Sequence, residues 1–203
     1  MTSIITGDII GSQKIQTTVW IEDLKGLLGQ LTTEQKDWQI YRGDSFQIEI
    51  KDPKDALIAA IRIKAFLKSM KMDARMGIGI GDKSKSNLKI SENSGKVFIN
   101  AGQVFDSLKK DKITMGIKTS NPTIDETLNL MLHLALTVMD SWPQQSAEFV
   151  VAAIENPTLT QKELGLKLNI KQASVSRRSH RSHFDLIMKF EKYFRETIEK
   201  RLV

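Results

Sequence analysis

The sequence predicts an α+β fold: a ferredoxin-like or palm-type sheet over residues 1–120, followed by an all-α segment over residues 121–203. Three observations predict it. Short β-rich runs alternate with helical stretches in the order β-α-β-β-α-β-α-β as far as Lys118. Beyond Asn121-Pro122 the apolar spacing is helical throughout. The 203 residues also exceed what one small core needs, since domains commonly run to about 100–150 residues.

The first strand is Ser3 to Thr6, broken by Gly7, Asp8, Gly11 and Ser12 before a helix from about Val19 to Leu31. Trp38 to Tyr41 and Ser45 to Ile50 alternate apolar and polar residues around Arg42-Gly43-Asp44, a hairpin pattern. Asp55 to Met70 places Leu57, Ile58, Ile61 and Ala65 at helical spacing. Arg75 to Gly81 follows as a strand whose glycines allow close backbone approach. A polar loop from Asp82 to Ser94, a helix from Lys96 to Lys110 and a short strand from Ile113 to Lys118 complete the sheet, with helices expected on one face. Ile124 to Trp142 reads as one helix, Gln145 to Glu155 as another, and Phe184 to Leu202 as a long amphipathic one.

Hydrophobic residues are 40% and charged residues 27% of the chain, the balance of a folded protein and not of a disordered one. No apolar run approaches the roughly 20 residues of a bilayer span, and the start has no basic n-region, so a cytoplasmic protein without membrane partners is expected. The absence of cysteine excludes disulfides and thiolate chemistry. The net charge of +6 is concentrated near the C-terminus. From Gln161 onward Lys162, Lys167, Lys171, Arg177, Arg178, Arg181, Lys189, Lys192, Arg195, Lys200 and Arg201 face only Glu163, Asp185, Glu191, Glu196 and Glu199. An anionic partner is the simplest reading, and a merely solvated face the alternative.

Asp8 closes the first strand and Asp44 tips the hairpin, positions that a palm sheet brings together. Two such carboxylates suit Mg²⁺, which can clamp a triphosphate and activate a hydroxyl. Gly7 and Gly11 would let backbone N–H groups approach phosphate oxygens. Each aspartate alone also has a structural reading, as a turn residue or a helix cap.

The segments TGDIIGS (Thr6 to Ser12), RGDSFQ (Arg42 to Gln47) and RMGIGIG (Arg75 to Gly81) resemble, in order, the motifs of class III nucleotidyl cyclases. Joined to a C-terminal helix-turn-helix, they are similar to the SatD family of bacterial proteins, over nearly the whole chain. The resemblance implies metal ligation by Asp8 and Asp44, with Gly7, Gly11, Ser12, Arg42 and Arg75 contacting a nucleoside triphosphate or other nucleotide. The pattern departs from the cyclases where they carry a base-selecting lysine, here Ile40, and an asparagine and arginine four residues apart, here Asn100 and Val104. That loss points to a slow enzyme, a different substrate or a sensor. His133, on an apolar helical run, is expected to be packed.

Thr160 to His183 resembles the bacterial helix-turn-helix. Thr160 and Glu163 form a capping-box pattern, Leu164 and Leu168 face inward, Asn169 ends the first helix in a left-handed conformation, Ile170 plugs the turn and Val175 anchors the second helix. Gly165 permits close helix crossing. Ser174, Arg177, Arg178 and Arg181 fall at i, i+3, i+4 and i+7, a basic face that, with Lys171 and Gln172, would meet double-stranded DNA. A DNA-binding transcriptional regulator that senses a nucleotide or Mg²⁺ is therefore the leading expectation. A metal-dependent nucleotidyl cyclase or nucleotidyltransferase using Asp8 and Asp44 is the alternative, and a homodimer is compatible with either.

Overall fold

The computed structural model describes residues 1–12, 17–84 and 89–201; residues 85–88 of the expected polar loop and Leu202, the expected end of the last helix, lie outside them. In chain order the elements are β1 (Thr2–Ile10), α1 (Thr17–Leu31), β2 (Trp38–Tyr41), β3 (Ser45–Ile50), α2 (Ala56–Ser69), β4 (Asp73–Gly81), α3 (Lys96–Asp111), β5 (Met115–Lys118), α4 (Pro122–Met139), α5 (Gln144–Glu155), α6 (Gln161–Lys167), α7 (Gln172–Ser182) and α8 (Phe184–Arg201). The fold is mixed α/β, with one sheet in the order β2-β3-β1-β4-β5. All neighbours in it are antiparallel except β4 and β5. No helix among the described residues is long and apolar enough to cross a membrane.

Side chains alternate across a sheet, so the two faces bury different sets. Ile5, Met76 and Ile78 join Trp20 and Leu24 of α1 and Leu57 and Ile61 of α2. Ile4 joins Val97 and Ala101 of α3 in a second cluster. Helices therefore cover both faces, where the sequence led us to expect one. The reason lies in Gly77 and Gly79, directly under α3. A Cβ on Gly77 would stand 2.8 Å from the Ala101 carbonyl oxygen, and one on Gly79 would collide with the backbone of Val97 and Ala101. Alternating glycines strip one face of β4 so that a helix backbone can lie on it.

The first strand does not break at Gly7 as expected. Its ladder continues to Ile10, with Gly7 opposite Phe46 on one side and Met76 on the other. A Cβ there would lie 2.5 Å from Phe46 Cζ, so this glycine makes room for a fully buried aromatic ring.

At the start of α4, the Asn121 side chain accepts from the N–H groups of Thr123 and Ile124, and Pro122 fills the first helical position. Asn121-Pro122 thus begins a helix. The apolar core continues across this point, since α5 packs on α2, and Phe149, Val150, Phe190 and Phe194 belong to the same cluster as the sheet. A polar knot adds to that contact. Lys64, buried within α2, reaches Asp73 Oδ1 at 2.7 Å, Asp140 Oδ1 at 2.6 Å and Thr114 Oγ1 at 3.2 Å. Thr114 donates to Asp140 Oδ1 at 2.7 Å, and Lys68 to the Asp140 carbonyl. Three partners satisfy the three donors of one ammonium, which is what makes a fully buried lysine tolerable.

Candidate functional site

Extension of β1 past Gly7 sets Asp8 between Ser45 of β3 and Arg75 of β4. Residues directly opposite in a ladder share a face, and Arg75 Nη1 lies 3.0 Å from Asp8 Oδ2. Asp44 closes the β2–β3 turn, where Arg42 (φ 53°) and Gly43 (φ 84°) take left-handed conformations. Its carbonyl accepts from the Ile9 N–H at 2.9 Å. Its carboxylate accepts from Ser12 Oγ at 3.4 Å and lies 3.5 Å from Ser45 Oγ. Asp8 and Asp44 are thus at one rim of the sheet, close enough to repel.

Burial pushes the Asp8 carboxyl above the ordinary aspartate value; Arg75 opposes the shift, Asp44 adds to it, and Lys109 of α3 opposes it. Tyr41 is pushed up mainly by burial, with Arg42 pulling it down and Asp8 raising it. Asp8 Oδ1 is buried without a hydrogen-bond partner among the described residues. A buried, unpartnered carboxylate oxygen beside a second carboxylate is a donor set that fits Mg²⁺, which takes one or two carboxylates and completes its shell from water and phosphate. No group of three or more His, Asp or Glu side chains suited to a metal occurs among the described residues, so these two aspartates would be the protein's share.

The other rim residues divide. Ser12 and Arg75 touch the aspartates, and Arg42 sits in the exposed turn beside Asp44. Gly11 (φ 89°) turns the chain just after β1. Gly7 serves Phe46 instead of a phosphate, because its backbone lies within the ladder. Asn100 is remote: its Nδ2 donates to the Ile80 carbonyl at 2.8 Å, and Ile80 pairs with Ser3 at the opposite end of β1.

The C-terminal helices carry the second candidate. Thr160 and Glu163 make the reciprocal capping box at the start of α6. Asn169 takes φ 53°, and the Ile170 N–H donates to the Gly165 carbonyl at 2.9 Å. A Cβ on Gly165 would meet the Ile170 carbonyl oxygen at 2.8 Å, so the tight turn into α7 requires glycine there. Val175 and Ser182 are buried, and Ser182 accepts through its carbonyl from Trp142 Nε1 at 3.1 Å.

Burial of Val175, Arg178, Ser179 and Ser182 to varying degree fixes which side of α7 turns inward. Arg178 lies on that side. Its Nη1 is 3.1 Å from Glu148 Oε2 and 3.2 Å from the Gln145 carbonyl of α5, so it anchors α7 to α5. The outward stripe is instead Gln172, Ala173, Ser176, Arg177, His180 and Arg181. Arg177 donates to Ser174 Oγ at 3.1 Å, and Gln172 to Gln161 Oε1 at 2.8 Å. Among the described residues Lys162, Lys167, Lys171, Arg177 and Arg181 have no salt bridge, whereas on α8 Lys192 and Lys200 pair with Glu196, and Arg195 with Asp55 and Glu191.

No family model, curated protein or solved structure matches the chain.

Four residues escaped the sequence reading. Tyr41 and Lys109 act electrostatically on Asp8 or are acted on by it, and only the folded sheet reveals them. Ser176 and His180 were legible: counting helical turns from the buried anchor Val175 puts residues 178, 179 and 182 inside and leaves 176 and 180 outside. His133, expected to be packed, is exposed on α4.

Proposed function

We propose that the chain is a duplex-DNA-binding regulator of the SatD type, in which α6 and α7 are the helix-turn-helix and the sheet is a ferredoxin-like, cyclase-like palm that binds a nucleotide with Mg²⁺. The observation that carries the reading is the exposed stripe of α7. Among the described residues its bases have no acidic partners while most of those on the following helix are paired, and unpaired cations on a projecting helix are what phosphate contacts require. A β-α-β-β-α-β run with β1 between β3 and β4 supports the palm.

A contiguous route joins the two sites. Arg75, on Asp8, stands two residues from Asp73, which holds Lys64; Lys64 holds Asp140 at the end of α4; and Trp142, two residues on, bonds the end of α7. A phosphate that draws Arg75 away from Asp8 pulls on this route. Titration of labelled duplex with the full chain, with and without Mg²⁺ and each nucleoside triphosphate, tests the reading. Binding should be salt-sensitive and should change about 5–150-fold with the correct nucleotide, a change lost in Asp44→Asn. Duplex affinity that ignores salt would remove the DNA half, and affinity indifferent to every nucleotide the sensing half. The unpartnered Asp8 oxygen also favours a second reading, a nucleotidyl cyclase or nucleotidyltransferase. Release of pyrophosphate in the same mixtures would establish it.

A further inference from the structure

Two helices carry an apolar surface that the folded chain leaves uncovered. On α4, Leu130 and Leu134 are 63% and 65% exposed one turn apart, flanked by the half-buried Met131, Ala135 and Val138. On α8, Leu186 is 63% exposed and Tyr193 40%, on the same side as Lys189 at i, i+3 and i+7. Between them runs a groove of about 300 Å³ lined almost wholly by carbon, and His183, the residue that ends α7, lines it too. Single exposed leucines are ordinary, but Leu134 and Leu186 lining one groove, with Leu130 a turn away, mark an interaction surface.

The charge around the groove selects its occupant. Helix α4 contains no lysine or arginine; its only full charges are Asp125 and Glu126. The outward side of α8 over the same stretch carries Lys189, without a salt bridge among the described residues, and Lys192, which reaches Glu196 only at 4.0 Å. A two-fold contact is self-complementary, with each residue of one copy meeting its counterpart's neighbour and the reverse. Asp125 is engaged by the Thr119 N–H, so laying α4 of one copy across α8 of another matches exposed Glu126 of the one with exposed Lys189 of the other, and both seams benefit at once. Nucleic acid would find no cation on α4, and α8 against α8 would oppose like charges.

We propose that this α4–α8 face is where a second copy of the chain docks, forming a two-fold dimer whose two α7 helices are held in fixed relation through His183. The proposal rests on the DNA-binding reading only for its purpose, since paired half-sites multiply affinity; the contact stands or falls by itself.

Sedimentation velocity of the full chain across a hundredfold range of concentration tests it, with Leu134→Glu and Leu186→Glu beside the natural sequence. The expected result is a species of twice 22.9 kDa that both variants convert to monomer, with unchanged helical circular dichroism and a thermal midpoint that no longer rises with protein concentration. Leu166→Glu, at a leucine exposed on α6 away from the groove, should leave the dimer intact. A chain monomeric throughout the range overturns the proposal, as does a dimer insensitive to both groove substitutions. A monomer that instead co-sediments with vesicles of phosphatidylcholine and phosphatidylserine assigns the face to lipid and overturns it equally. A dimer with no affinity for duplex would leave the contact standing and refute the DNA-binding reading alone.

Discussion

At the rim of the sheet, Asp8 is held by Arg75, and Asp44 by the hydroxyl of Ser12, so the acidic charge there is already engaged within the chain. On α7 the outward bases Arg177 and Arg181 have no acid to answer them among the described residues. The difference teaches how each region would take a ligand. A rim closed on its own ion pair binds only what competes with that pair, such as a cation for Asp8 together with an anion for Arg75, and competition makes binding selective and reportable. A face of uncompensated bases meets any polyanion by releasing counterions, which makes binding strong and salt-dependent but not discriminating. On the proposed reading, selectivity for a small ligand would belong at the rim, and reach for a polymer on the helix.

The largest effect should come from breaking the knot between the regions. Lys64→Ala empties a buried site and leaves Asp73 only its pair with Lys68, and should cost about 2–3 kcal/mol of stability, read as a lowered urea midpoint; Lys64→Met, which fills the same space, should cost less. Next in size is Gly165→Ala. Its methyl would press on the Ile170 carbonyl, and forcing α6 from α7 should cost about 1–3 kcal/mol, lowering the thermal midpoint and duplex affinity together. Removing the reciprocal cap with Thr160→Ala should cost about 1 kcal/mol, visible by chemical denaturation.

The rim answers to pH. Because the Asp8 carboxyl is raised in the folded chain, folding favours its protonated form, and its contribution to stability declines as pH climbs from the unfolded aspartate value to the raised one. Mg²⁺ needs the ionised form. Mg²⁺-dependent nucleotide binding, followed by calorimetry, should therefore weaken as pH falls through the raised Asp8 pKa, and Asp8→Asn should abolish that dependence along with the metal requirement.

Much of this organisation was legible in the sequence, and what was not has a physical cause. The hairpin around Asp44, the capping box at Thr160 and the left-handed Asn169 depend on neighbours within a few residues, and local chemistry determined them. Gly7 was read as a strand breaker and a phosphate contact because its partner, Phe46, is distant in sequence. The second covered face of the sheet was missed for the same reason, since Gly77 and Gly79 show that something approaches but not what. Arg178 was assigned to the DNA face by its spacing from Ser174, yet spacing from Val175 decides, because burial of one apolar anchor outweighs the solvation of an arginine that finds Glu148. Lys64 gave no local signal: its partners lie 9 and 50 residues away and at the end of another helix.

The salt dependence of duplex binding tests the central claim most directly. Each phosphate contact contributes about 0.9 to the slope of log affinity against log salt, so Arg177→Ala/Arg181→Ala should lower that slope by roughly two, while Arg178→Ala, which removes only the tie to α5, should leave it unchanged. An equal slope in the natural chain and the double variant, or a slope lost on changing Arg178 alone, would contradict the assignment of the α7 stripe to DNA.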